Sequence, residues 1–126
     1  MRFFGRSAMS TLARTPVLVL RTTGRRSGRT RATVLAYHRL DEQRVAVVGG
    51  ASGQQRTPDW VANLRAAQTA EIVIARSTHT VRAVEVGGPE RDVLWAQLSV
   101  VWPRIESYRA RAGRTIPVFV LTSAAP

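Results

Sequence analysis

The chain has 126 residues, of which 44% are hydrophobic, so it is long and apolar enough for one domain with a buried core. It contains no cysteine, which excludes disulfides and thiolate chemistry. Its two histidines are not spaced with carboxylates as metal ligands, so we expect no metal site. The formal net charge is +11, and every basic side chain is an arginine, which favours anionic partners.

The positive charge is concentrated early in the chain. Residues 1–44 hold ten arginines and two acids, a net charge of +8, whereas residues 45–126 hold nine arginines and six acids, a net charge of +3. Such a basic segment suits a phosphorylated ligand, nucleic acid or an anionic membrane surface. No apolar run approaches the roughly 20 residues that span a bilayer, and the start of the chain lacks a signal-peptide pattern. We therefore expect a cytoplasmic protein.

Residues 1–15 are predicted to be a leader that precedes a single domain over residues 16–126. Residues 1–14 combine Phe3 and Phe4 with arginines, as in a short amphipathic helix that lies on the inner face of a membrane. The alternative, which we favour, is a leader that packs its phenylalanines on the domain.

The next segment predicts a β-hairpin rich in arginine. Residues 17–23 form an apolar strand, Gly-Arg-Arg-Ser-Gly at residues 24–28 forms the turn, and residues 29–40 form the second strand. Because strand residues alternate between faces, Arg29 and Arg31 share one side of the sheet. The guanidinium groups and exposed backbone amides suit a phosphate or carboxylate. The alternative is a solvated surface turn.

A third strand and a helix follow. Residues 41–43 form a turn and residues 44–49 a strand, which completes an antiparallel meander. Residues 50–57 are a small polar loop with glycines, which allow a ligand to approach backbone amides. Thr57 as N-cap, then Pro58 and Asp59, predict a helix to residue 67 whose apolar face includes Trp60. The amides at its start could bind an anion.

The second half of the chain predicts two strands, two helical segments and a closing strand. The strands cover residues 71–75 and 80–86 around a turn at residues 77–78, and the closing strand covers residues 115–121, where Pro117 indicates an edge or bulge. The first helix is predicted to bury four residues, and the second runs from Pro103 to about residue 112. The four residues are Val93, Leu94, Leu98 and Val101. The predicted fold is α+β: a split β-barrel of about six mostly antiparallel strands with covering helices.

Three sequence motifs resemble those of a known family. They are Leu-Arg-Thr-Thr-Gly-Arg-Arg-Ser-Gly at residues 20–28 with Arg31, Pro-Asp-Trp-Val-Ala-Asn-Leu at residues 58–64, and Arg-Thr-Ile-Pro-Val at residues 114–118. In this order and spacing the sequence resembles the deazaflavin-dependent nitroreductase family of actinobacteria, split β-barrel proteins that use coenzyme F-420. The resemblance implies an oxidoreductase that transfers a hydride from the reduced deazaflavin to a quinone, an activated alkene or a nitro compound.

The resemblance also implies roles for particular residues. The phosphate and polyglutamate tail of the coenzyme would be held by Arg25, Arg26, Ser27 and Arg31. The ring would lie along Ala32, Thr33, Val34, Leu35 and Ala36. The remaining contacts would come from Val48, Gly49, Gly50, Ala51, Asp59, Trp60, Val61, Ala62 and Asn63. The pocket for the electron acceptor would be lined by Trp102, Ile105 and Tyr108. Ser52 and Tyr108 are candidates to hydrogen-bond the acceptor oxygen, and no catalytic side chain beyond them is indicated, because the coenzyme does the chemistry.

The sequence departs from the family pattern where the acceptor is expected. It has Thr-Val-Leu-Ala at residues 33–36 in place of Asn-Pro-Leu-Tyr, no lysine after the third strand, and Ile105 in place of a tyrosine. The loss of hydroxyls makes the pocket more apolar.

The sequence is also compatible with other functions, and it carries an expectation about the oligomeric state. The first alternative is a non-catalytic split barrel that binds coenzyme F-420, FMN, haem or a lipid, with FMN as the substitute cofactor. Specific nucleic-acid binding is disfavoured, because the arginines are not interleaved with stacking aromatics. A homodimer is also expected, as in related split barrels.

Overall fold

The computed structural model describes residues 10–12, 15–50 and 56–123. The described residues form eight strands and three helices. Their bounds are β1 Ser10–Leu12, β2 Thr15–Thr23, β3 Thr30–Ala36, β4 His38–Arg39, β5 Arg44–Val48, α1 Asp59–Ala67, β6 Thr69–Ile74, β7 Ser77–Glu85, α2 Gly88–Val101, α3 Ile105–Ala112 and β8 Val118–Ser123. All the strand pairs are antiparallel.

The strand order explains why the sheet curls. The sheet runs β1-β2-β6-β7-β8-β5-β4, and β3 pairs with β2. The strands β3 and β4 therefore lie toward opposite ends of the sheet, yet a single residue, Tyr37, joins them along the chain. One residue spans less than about 4 Å, so the sheet must bend until its two ends meet. The result is an open barrel whose split lies between β3 and β5.

Two apolar clusters follow from this curvature. Inside the barrel, inward-facing residues of the strands pack with Trp60, Val61 and Leu64 of α1, which closes one end. On the outside, the opposite faces of β5 and β8 pack against α2 and α3 through Leu98 and Ile105. Both faces of β5 and β8 are thus buried, which is why their sequences are continuous apolar runs rather than alternating ones.

Several predictions about the strands are wrong. The single strand predicted over residues 29–40 is two strands, because β3 pairs with β2 whereas β4 pairs with β5, so the first three strands form no meander. The turn between β6 and β7 lies at Ala75 and Arg76, whose φ angles are positive, rather than at residues 77–78. Pro117 precedes β8, and β8 is a central strand between β7 and β5, not an edge.

Predictions about the helices were partly right. Leu94 and Leu98 are buried as expected, but Val93 and Val101 are 64% and 44% exposed, because the sheet covers only one narrow face of α2. Residues 10–12, predicted as part of a helix, form β1 against β2. The rest of the predicted leader helix, including its membrane-contacting phenylalanines, lies outside the described residues. In the part of the chain that the structure describes, no helix is long and apolar enough to cross a membrane.

Candidate functional site

A cleft of about 650 Å³ opens between the β2–β3 turn, the first half of β3 and the start of α1. We call it the arginine cleft. Its walls are formed by Gly24, Arg25, Arg26, Ser27, Thr30, Arg31, Ala32, Thr33, Arg56, Asp59, Trp60 and Asn63. Trp60 is both wall and core, because its ring packs on Phe119 at 5.9 Å between centroids.

The turn that carries the arginines has a fixed backbone. The N–H of Gly24 donates to the carbonyl of Arg29 at 2.7 Å, and the N–H of Gly28 donates to the carbonyl of Gly24 at 2.9 Å. Gly28 has φ +72°, a left-handed conformation that favours glycine. A Cβ on Gly24 would lie 2.8 Å from Oγ of Ser27, which itself accepts the N–H of Arg29. The φ angle therefore favours glycine at position 28, and a side chain at position 24 would displace the Ser27 hydroxyl.

Asn63 ties this turn to α1. Its side chain is only 3% exposed, and Oδ1 accepts hydrogen bonds from the backbone N–H and from Nη1 of Arg25, each at 3.1 Å. Its Nδ2 donates to Oγ1 of the buried Thr22 at 3.4 Å. Asn63, predicted to contact a coenzyme, lines the cleft and through these hydrogen bonds also joins the turn to α1. The two walls of the arginine cleft are consequently held at one separation.

The electrostatics of the cleft are those of an anion site. Arg25, Arg26, Arg31 and Arg56 line it with a single acid, Asp59, a formal balance of +3. Asp59 lies in the first turn of α1 and pairs with Arg56 at 2.9 Å. Among the described residues no side chain caps α1, so the predicted cap by Thr57 is wrong and Pro58 takes the N-cap position. The positive end of the helix adds to the attraction for an anion.

The five residues predicted to lie along a ring are divided between two faces of β3. Thr33 and Leu35 are opposite the buried Leu20 and Leu18, so they face the barrel interior. Ala32, Val34 and Ala36 are exposed on the other face, Val34 by 58%. The five side chains therefore do not share one face, and of these residues Ala32 and Thr33 line the arginine cleft.

The predicted residues after β5 form a tight junction. Gly49 is buried, and its N–H donates to the carbonyl of Pro117 at 2.8 Å. A Cβ on Gly49 would lie 2.7 Å from Cγ2 of Val61, which is itself fully buried. Val48 packs on the outer apolar cluster, and Ala62 is half-buried on α1. Ala51 and Ser52 lie outside the described residues.

The predicted acceptor residues all belong to the outer apolar cluster or pack against it. Ile105 is 2% exposed and belongs to the outer apolar cluster, so it does not reach a surface pocket. Tyr108 is half-buried, and its ring is 3.9 Å from where a Cβ on Gly50 would lie. The ring of Trp102 makes an edge contact with His38 at 6.4 Å between centroids. Tyr108 is thus the predicted acceptor residue that the structure brings beside the end of β5.

Comparison with known proteins places the chain in a family. The family model described as F420H(2)-dependent quinone reductase matches residues 1–123. The chain belongs to this family.

Known members and structures agree with that assignment. A Mycobacterium tuberculosis protein named F420H(2)-dependent quinone reductase is 34% identical over 110 residues, which cover 85% of this chain and 73% of the relative. A solved F420-H2 dependent reductase (FDR-A) is 26% identical with a TM-score of 0.73, covering 83% of this chain and 92% of that one. A solved structure described as a domain-swapped dimer is 26% identical with a TM-score of 0.74, covering 83% and 78%. The predicted deazaflavin family and α+β split barrel are therefore confirmed.

The donor set of the arginine cleft fits the coenzyme of this quinone reductase family. Coenzyme F-420 carries a phosphate and a chain of glutamates, and a carboxylate or phosphate oxygen is the partner for which a guanidinium is best suited. Four guanidiniums on fixed backbone, with one competing acid, supply that chemistry.

Arg56 and Thr30 line the arginine cleft but were not predicted from the sequence. A signal for Arg56 existed, because it lies three residues before Asp59, the spacing of an ion pair at a helix start. Thr30 had no comparable signal.

Proposed function

We propose that the arginine cleft binds coenzyme F-420 by its phosphate and acidic tail, and that the protein uses the reduced coenzyme to reduce a quinone. The observation that carries the proposal is the set of four arginines converging on one cleft whose walls are joined by Asn63. Family membership supports the reaction class, and the positive charge of the cleft supports it as the coenzyme-binding site.

The side chains divide the work of binding and orientation. Arg26 and Arg31, which are exposed, would form paired hydrogen bonds with carboxylates or phosphate, and Arg25 would add a third guanidinium already held by Asn63. Ser27 would offer its hydroxyl from the same turn. Trp60 closes the floor of the cleft and keeps water from the barrel interior. The bound reduced deazaflavin supplies a hydride.

The acceptor is proposed to bind beside Tyr108 at the end of β5. A quinone oxygen becomes negatively charged as it accepts a hydride, and a phenol hydroxyl that donates a hydrogen bond to it stabilises that charge. Trp102, which packs against the same outer apolar cluster as Tyr108, would supply apolar surface for the acceptor. Ser52 stays a second candidate donor from the sequence.

A fluorescence titration tests the binding site. We expect coenzyme F-420 to bind the wild-type protein and to lose at least about a hundredfold in affinity in the Arg25→Ala/Arg31→Ala variant, because two charge-assisted contacts are lost. The matched control, Arg76→Ala/Arg82→Ala, removes the same charge at exposed positions outside the cleft and should bind within about twofold of wild type. Turnover is then followed as oxidation of the reduced coenzyme by a soluble quinone. Folded wild-type protein that fails to bind the coenzyme would contradict the proposal.

The relative described as a domain-swapped dimer supports the expected homodimer. Light scattering on the purified protein measures the molar mass directly, and a value for one 13.9 kDa chain would contradict it.

A further inference from the structure

Arg114 joins two segments of chain that meet beside the arginine cleft. It lies between α3 and β8, and its Nη2 donates to the carbonyl of Gly49 at 3.1 Å and to the carbonyl of Arg56 at 3.3 Å. Gly49 follows β5, and Arg56 precedes α1. One terminal nitrogen of a guanidinium therefore holds together the end of a strand and the approach to a helix. Arg114 does not itself line the cleft.

Gly49 is a fixed point in this arrangement. Its N–H is bonded to Pro117, its carbonyl is bonded to Arg114, and Val61 of α1 leaves no space for a side chain. The segment Arg-Thr-Ile-Pro at residues 114–117 thus forms hydrogen bonds with both the N–H and the carbonyl of Gly49. Nη2 of Arg114 is held in place by its hydrogen bond to the Gly49 carbonyl. Its second hydrogen bond, to the carbonyl of Arg56, therefore holds the backbone of Arg56 at a fixed distance from Gly49.

Arg56 is the guanidinium that faces the turn arginines from the α1 side of the cleft. Its side chain is 77% exposed and is oriented by Asp59, which pairs with it at 2.9 Å. An exposed ion pair stabilises a side-chain position weakly, so the position of the Arg56 guanidinium depends strongly on its backbone. The backbone carbonyl of Arg56 is held by Arg114.

We infer that Arg114 is a positioning residue for ligand binding, which acts by fixing the backbone of Arg56 so that the Arg56 guanidinium lies in the arginine cleft. The inference rests on the proposed role of that cleft in binding coenzyme F-420. An arginine suits the task because one planar terminal nitrogen has two hydrogens in fixed and different directions, one for each carbonyl. A lysine is a point charge on a flexible four-carbon stem, so it holds the two carbonyls less rigidly.

A double-mutant cycle on coenzyme affinity tests whether Arg114 acts through Arg56. We expect Arg56→Ala and Arg114→Ala each to weaken binding by about tenfold, and Arg114→Lys to lie between Arg114→Ala and wild type. In the Arg56→Ala background, Arg114→Ala should change affinity by no more than about twofold, because the group it positions is absent. The turnover rate at saturating coenzyme should stay within about twofold of wild type in Arg114→Ala, since no reacting atom is touched.

Arg65→Ala is the matched control. It removes one positive charge and a two-point ion pair with Glu85, at 2.8 Å for each contact, away from the cleft. It should leave coenzyme affinity unchanged. Losses that add in the Arg56→Ala/Arg114→Ala double variant would make Arg114 a direct ligand and overturn the inference, as would full affinity in Arg114→Ala.

Amide hydrogen exchange without coenzyme gives a second, independent measurement. Arg114→Ala should speed exchange at Gly49, Arg56, Thr57 and Asp59 and leave residues 24–29 unchanged. Unchanged exchange at Gly49 and Arg56 would overturn the inference whatever ligand the cleft takes. If Arg25→Ala/Arg31→Ala keeps full coenzyme affinity, the proposed function fails instead. If that variant loses affinity while the Arg114 variants keep it, only the positioning role fails. Arg114→Lys serves the same comparison if the alanine variant does not fold.

Discussion

The contacts of Asn63 predict that Asn63→Ala lowers both stability and coenzyme affinity. The substitution removes the acceptor for two donors of Arg25 and the donor to Thr22, and the Thr22 hydroxyl is buried. A buried polar group left without a partner costs about 1–3 kcal/mol, so we expect the free energy of unfolding to fall by about 2 kcal/mol. For a chain of 126 residues, that corresponds to a fall of about 7 °C in Tm.

The assay is thermal and urea unfolding followed by circular dichroism, with coenzyme titration of the same samples. Thr22→Val provides the control, because it removes one hydrogen bond and leaves an apolar side chain of the same shape. It should cost about 1 kcal/mol. The Asn63→Ala/Thr22→Val double variant should lose less free energy of unfolding than the sum of the single losses, because the Thr22 hydroxyl that Asn63→Ala leaves unpaired is absent. A loss below about 0.5 kcal/mol in Asn63→Ala, together with full coenzyme affinity, would refute the reasoning that Asn63 holds the two walls together.

Two further predictions concern the junction at Gly49 and an ion pair on the surface. Gly49→Ala places a methyl group 2.7 Å from Cγ2 of Val61, so the free energy of unfolding in urea should fall by about 1–3 kcal/mol. Val61→Ala in the same chain should relieve part of that loss, and an equal loss from Gly49→Ala with and without the Val61 side chain would contradict the clash. The hydrogen-bonded Arg65 guanidinium lowers the pKa of Glu85 below its ordinary value near 4.5, so this pair contributes stability at neutral pH that is lost as the pH falls through the lowered pKa. Tm measured from pH 6 to pH 3 should therefore fall more steeply in wild type than in Glu85→Gln, and parallel curves would rule out this contribution.

Local chemistry predicted the parts of the site that depend on neighbouring residues. The turn at residues 24–28 follows from its glycines, and α1 begins at Asp59, one residue after the start that Thr57 and Pro58 predicted. The interruption at Tyr37 was missed because a run of apolar residues looks the same whether it pairs with one neighbour or changes partners. Pro117 was misread for a related reason: it sits one residue outside a central strand, where its missing N–H costs no ladder hydrogen bond.

Long-range contacts in the site had no signal in a single sequence. Arg25 and Asn63 are 38 residues apart, and Arg114 and Gly49 are 65 apart. Arginine is abundant throughout the chain, so composition could not distinguish Arg56 and Arg114 from exposed arginines such as Arg82. Ile105 was placed in a pocket by resemblance alone, whereas its position in the first turn of α3 faces the sheet and buries it.

The three sequence motifs that indicated the family meet at one place in the fold, which gives a physical reason for their co-occurrence. Residues 20–28 form the turn that presents arginines, and residues 58–64 form the helix start whose Asn63 holds that turn. Residues 114–118 grip Gly49 and the backbone of Arg56. Because these segments line the same cleft or hold its walls, we expect the motifs to function as one unit. Asn63 lines the cleft, and Arg114 holds the backbone of Arg56, which also lines it. Affinity losses from Asn63→Ala and Arg114→Ala should accordingly differ from simple addition.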